Sequence, residues 1–311
     1  MAVEHSSLAR VRRLELSPTA FRRLALAAAL SLYAIVITGA AVRLTGSGLG
    51  CDSWPGCESR SFFPQNDVHG AIEFGNRAVA IVPVTLSLLA WFGATRTAGL
   101  PKWAVRTAAA VALGTVGQAP LGLLTIKSDL HPLLVMSHFL LALAVLGGAI
   151  VVALEAWRLE RGAGRLDLPF GVRRLALVLA AATAALVTSG AFATAAGPHP
   201  GDRADIRRLG DVDTMIAVHV RVTAAFGLAL LLVFGSIARR RDDHPRLFRV
   251  SLVLLALVIA QMSIGELQYR LELPWGLVLV HVAFAAAVWA AVIAFVAALW
   301  RPPTWLEGRR T

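Results

Sequence analysis

Charge is what this sequence has least of. Only 16% of its 311 residues are Asp, Glu, Lys or Arg, whereas a soluble globular domain averages about 25%, and 57% are hydrophobic. An ordinary soluble domain is excluded, and an integral membrane protein is indicated. Cysteine is equally scarce. With only Cys51 and Cys57, a disulfide-rich secreted scaffold is excluded, and no histidines cluster beside them to complete a metal finger. Acidic residues number 19 against 30 Lys and Arg, a net charge of +11. The basic residues fall in short clusters between apolar runs rather than along one face or arm, so no nucleic-acid partner is expected. A cleaved leader is not expected either, because Glu4 and Glu15 interrupt the basic tail and the first apolar run continues into a full span.

What is present is a series of apolar runs. Eight are long enough for a hydrocarbon core of roughly 30 Å, which takes about 20 helical residues. They lie near 24–43, 70–93, 104–125, 132–154, 174–194, 214–236, 249–267 and 275–299. Lys and Arg are retained on the cytoplasmic side of a membrane. The two tails and the loops near 94–106, 155–174 and 237–249 hold 21 of them, and the opposite loops hold seven. Both termini are therefore expected to be cytoplasmic. Cys51 and Cys57 then lie outside, six residues apart in an oxidising compartment, well placed for a disulfide.

The chain also repeats itself. QAPLGLLTIKSDLHPLLVMSH (118–138) and QMSIGELQYRLELPWGLVLVH (261–281) both open with Gln, carry Gly four residues on and end in His. Thr38-Gly39 and Gly46 answer Ser189-Gly190 and Gly197 in the same way. The expected architecture is all-α: two tandem four-helix bundles related by a pseudo-two-fold axis, a parallel repeat. One unit spans 24–155 and the other 174–300, with a cytoplasmic linker at 156–173 and tails at 1–23 and 301–311.

At about 1.5 Å per helical residue, His138, His219, His281 and Asn76 lie at similar depths, roughly 10 Å below the outer surface. Ionisable side chains within spans are costly and face an interior. Two imidazoles at one depth on neighbouring helices suit axial ligation of a haem iron, so His219 and His281 are candidate ligands; packing by interhelical hydrogen bonds is the alternative. The first unit is incomplete, offering His138 opposite Asn76. Two turns outward come His69 and His131, with Glu73 between the layers. Glu73 is a candidate catalytic group, its alternative role being an ion pair with Arg77 four residues on. Arg77 and Arg221 are candidate partners for haem propionates.

Several stretches resemble haem A synthase: VRLTGSGLGCDSWPGC (42–57), IEFGNR (72–77), SGAFATAAGPHPGD (189–202), VHVR (218–221) and LVLVH (277–281). The likeness runs in order along nearly the whole chain. It implies a multi-pass enzyme of the bacterial plasma membrane that oxidises the C8 methyl of haem O to a formyl group, yielding haem A for terminal oxidases. It further implies haem b held by His219 and His281, substrate haem O at His138 with Glu73 as the chemical residue, and a Cys51/Cys57 pair. Contacts with membrane lipid, with the haem O synthase, with a quinone or other electron acceptor, and with a second copy in a homo-oligomer are compatible with this reading.

The sequence departs from the family at Asn76, where many members carry histidine in a Glu-x-x-His-Arg motif. Three arrangements are then open: ligation by His138 alone, a shifted haem using His69, or a weaker contact from Asn76. Two other functions share these residues. A membrane b-type cytochrome passing electrons between quinone and a partner uses His219 and His281 but gives Glu73 no task. A proton-coupled transporter uses the buried Glu and His as a relay.

Overall fold

The computed structural model describes residues 15–65, 67–202 and 206–307. Glu4 lies outside the described residues, as do Arg10, Arg12, Arg13, Arg203, Arg309 and Arg310 among the basic residues counted above. Every regular element among the described residues is helical: α1 (Pro18–Leu44), α2 (Val68–Val79), α3 (Ile81–Arg96), α4 (Lys102–Lys127), α5 (Pro132–Arg161), α6 (Phe170–Ala196), α7 (Val212–Ala238), α8 (Pro245–Arg270) and α9 (Trp275–Trp300), with a short 3-10 turn at Thr304–Leu306. They form eight spans long and apolar enough to cross a membrane, α2 and α3 together making the second. The helices overrun the expected ends because their caps lie outside the apolar runs. Asp67 accepts hydrogen bonds from the His69 and Gly70 N–H groups, and Asp211 accepts one from Thr214 at 2.8 Å. That bond also holds the Asp211 carboxyl below its ordinary range.

One span departs from expectation. The sequence predicts a single helix over 70–93, but α2 ends at Val79 and α3 begins at Ile81. Pro83 accounts for the break: it has no N–H for the Val79 carbonyl, and its ring crowds that oxygen. The helix in the corresponding place of the second half, α7, contains no proline and is unbroken.

Neighbour relations follow a simple order. In the first half α1 touches α3 and α5, and α4 touches both of those; in the second α6 touches α7 and α9, and α8 touches both of those. The halves meet through α1 with α9, α5 with α9 and α5 with α6. At this junction a cluster of Leu32, Val36, Leu143, Leu146 and Ala286 excludes water. The Trp289 indole N–H donates to the Leu143 carbonyl at 2.7 Å, and the Tyr33 hydroxyl donates to the Ala283 carbonyl at 3.1 Å.

Each end of the array is tied differently. At one end residues 301–307, expected as a separate tail, pack on the segment expected as a linker. Thr304 N–H donates to the Gly162 carbonyl at 3.4 Å, and Leu306 is buried. Arg301 grips the buried Glu155 through two nitrogens at 2.8 and 2.7 Å, with Arg158 a third donor at 2.9 Å. At the other end Gly48 N–H donates to the Gly201 carbonyl at 2.7 Å. Arg43 crosses between halves to the His199 and Thr194 carbonyls at 3.0 and 2.9 Å. His199 in turn donates to the Leu273 carbonyl at 2.8 Å. The two halves are thus fastened at both ends.

Candidate functional site

In the second half α7 presents His219 to α6. The Ser189 hydroxyl lies 2.9 Å from His219 Nδ1, and the ring lies over Gly190, where a Cβ would stand 3.1 Å from His219 Cε1. Only glycine leaves the imidazole that space. On α9, His281 repeats the arrangement against α8: a Cβ at Gly265 would stand 3.0 Å from His281 Cε1. Gln261 Nε2 lies 3.2 Å from His281 Nε2 and donates to its carbonyl at 3.1 Å. His281 Nδ1 and Gln261 Oε1 are buried without a partner, which is costly unless a group outside the chain completes them. A cavity of about 480 Å³ opens at the N-terminal end of α7, lined by Arg208, Asp213, Ile216, Tyr269 and Glu272 among others and by neither histidine.

Arg221 does not join this group. It is exposed on α7, because two residues of helix carry it about 200° round from His219. The expected propionate partner therefore lies on the opposite face.

In the first half the same elements are assembled with different groups. A Cβ at Gly122 would lie 3.6 Å from His138 Cε1, and Gln118 donates to the His138 carbonyl at 3.3 Å, as Gln261 does for His281. His138 Nδ1, Gln118 Oε1 and Asn76 Oδ1 are buried and unpartnered. Gly39, the counterpart of Gly190, has nothing within 4 Å of where its Cβ would be. The space that His219 fills in the second half is open here.

Glu73 is buried, and α2 turns it toward the loop between α1 and α2. One carboxylate oxygen accepts the Cys51 N–H at 2.8 Å; the other pairs with Arg77. Arg77 extends to the Ser53 carbonyl at 2.8 Å and to that of Gly56, so its guanidinium is engaged by the loop. Cys51 and Cys57 are joined in a disulfide and packed against the Gly70 carbonyl, 3.6 and 3.7 Å away. His69 Nδ1 lies 2.9 Å from the Ser47 hydroxyl, and His131 is half-buried at the N-terminus of α5. Among the described residues no three His, Cys, Asp or Glu side chains form a metal cluster. The glycines and glutamines beside the histidines, and Ser189 behind His219, were visible in the sequence only as repeat markers, and Ser47 carried no signal there. Glu155 was placed just beyond its span, yet it is a second buried carboxylate.

Residues 22–293 match the COX15-CtaA family, described as cytochrome oxidase assembly protein. The chain belongs to that family. Among its relatives, the heme A synthase of Shewanella oneidensis is 25% identical over 315 residues, covering 86% of this chain and 92% of that protein. The heme A synthase of Bacillus pumilus is 28% identical over 158 residues, 49% of this chain and 50% of its own length. The protoheme IX farnesyltransferase of Halobacterium salinarum is 32% identical over 157 residues, 49% of this chain and 32% of that protein.

Proposed function

We propose that this COX15-CtaA member is an enzyme of haem A formation that oxidises the C8 methyl of haem O to a formyl group, with haem b held between His219 and His281 of the second half. The observation that carries this reading is the asymmetry of two like helix rings. One has a glycine-cradled histidine pair. The other has His138 opposite Asn76, open space at Gly39 and a buried carboxylate at Glu73. The like order of helix neighbours in the two halves supports a tandem of four-helix units. The distribution of Lys and Arg supports cytoplasmic termini in a bacterial plasma membrane.

The second-half residues fit a haem. His219 and His281 would supply the iron ligands, Gly190 and Gly265 admit the rings, and His281 Nδ1 and Gln261 Oε1 are buried polar atoms left unsatisfied by the chain. When bound, haem b supplies a one-electron redox centre. Ser189 fixes the His219 ring through Nδ1 and leaves Nε2 for the iron.

Turning a methyl into a formyl group takes up the oxygen of one water and releases four protons and four electrons. His138 holds the substrate haem from the α5 side. Glu73 retains acceptor lone pairs beyond its bonds to Cys51 and Arg77, so it can orient a water and receive a proton at the C8 carbon. The Cys51 N–H and Arg77 fix that carboxylate in place, and the disulfide fixes Cys51. The electrons leave through the second half to a quinone or another acceptor. Haem O is supplied from its synthase through the membrane.

The test is to express the chain with a haem O supplier in cells lacking haem A and to weigh the extracted haems. A species heavier than haem O by one oxygen less two hydrogens is expected. Haem b and unchanged haem O alone would favour an electron-carrying cytochrome instead.

A further inference from the structure

The first half carries two imidazoles without counterparts in the second. His69 and His131 stand seven residues outward of Asn76 and His138, about 10 Å along a helix. The residues matching them, 143 positions later, are Val212 and Pro274. The turn before α5 has the same form as the turn before α9, with positive φ at Asp129 and Leu130 in one and at Glu272 and Leu273 in the other. What differs is the residue each turn delivers.

His69 is held at the end of α1, and His131 follows directly on Leu130, which packs against the same segment. Ser47, fully buried, lies 2.9 Å from His69 Nδ1 and 2.9 Å from the Thr45 hydroxyl. Leu130, next to His131, packs so closely that a Cβ on Gly48 would lie 2.9 Å from it. The Ser47–His69 contact repeats the Ser189–His219 contact in distance and in the ring atom used. A partner on Nδ1 fixes the ring and leaves Nε2 to coordinate, the usual support for a metal-bound histidine. At roughly 10 Å from the inner layer, His69 cannot replace Asn76 on the same iron without moving the haem.

We propose that His69, with His131 beside it, forms an outer docking station for the iron of an exchanging haem, which is bound at His69 Nε2 before it moves inward to His138. This rests on the reading that the first half processes haem. The second half retains its haem, and its corresponding positions carry no ligands. The ligand class is an iron porphyrin with an open axial position.

The probe is ferric protoporphyrin added to the purified full-length protein in lipid nanodiscs, followed by absorbance and electron paramagnetic resonance. The resident b-type spectrum reports folding in every variant. His138→Ala should still bind the probe with nitrogen ligation, and adding His69→Gln and His131→Gln should abolish that signal. With His138 intact, His69→Gln should slow uptake about tenfold and leave the final spectrum unchanged, and Ser47→Ala should slow it less. If the wild type takes up a second haem but neither its rate nor the His138→Ala signal depends on His69, the station is refuted and the proposed function stands. If the wild type takes up no second haem, both fall.

Discussion

The two halves share one pattern of helix neighbours and differ where a ligand would touch them. In the second, α7 is unbroken and lays His219 over Gly190 with Ser189 behind it. In the first, Pro83 divides the equivalent span, Asn76 stands in the place of His219, and Gly39 faces open space. The glycine is present where the ring is not. A scaffold fit to retain a haem is thus a few side chains from one fit to hold a haem and expose part of it to a carboxylate.

The largest expected effect lies at the retaining site. His219→Ala or His281→Ala should each eliminate the low-spin b-type absorption of the purified protein, and an unchanged band would refute the ligand assignment. A smaller effect tests the cradle. Gly190→Ala places a methyl 3.1 Å from His219 Cε1, and overpacking of this kind costs about 1–3 kcal/mol, so haem b should be lost more readily on dilution. Gly39→Ala meets nothing and gains helix propensity, so thermal stability should stay level or rise by about 1 kcal/mol. Equal behaviour of the two variants would contradict the asymmetry.

Asn76→His should partly erase the difference between the halves. The new ring has room before Gly39, and the first half loaded with haem should acquire a second low-spin, bis-imidazole resonance signal. The smallest effect is expected from Pro83→Ala, which restores the donor to the Val79 carbonyl and joins α2 to α3. Hydrogen exchange at residues 80–84 should slow, with haem b unaltered.

Much of this was legible because membrane spans obey strong composition rules. The eight runs, the repeat from Gln118 to His138 and from Gln261 to His281, and the disulfide between Cys51 and Cys57 could all be read from spacing. The break at Ala80 was missed because Pro83 lies within an unbroken apolar run, and periodicity does not register a lost N–H. Arg221 follows His219 by two residues yet is exposed about 200° round α7, so nearness in sequence does not by itself bring it to the ring. The Glu73 and Arg77 pair follows from i,i+4 spacing, but the bonds of Arg77 to Ser53 and Gly56 depend on how the loop folds back. Arg43 reaching His199 and Arg301 reaching Glu155 join residues roughly 150 positions apart, and no local pattern encodes them. Asn76 was legible as an oddity, and the open space at Gly39 gives it a physical setting.

The central claim is that Glu73 acts in the first half while the second half only carries electrons. The most direct test is Glu73→Gln expressed with a haem O supplier, with haems extracted and weighed and the b-type spectrum recorded on the same sample. The account predicts an intact haem b spectrum with haem O accumulating and no formyl haem. Formyl haem at the wild-type level in that variant would contradict it.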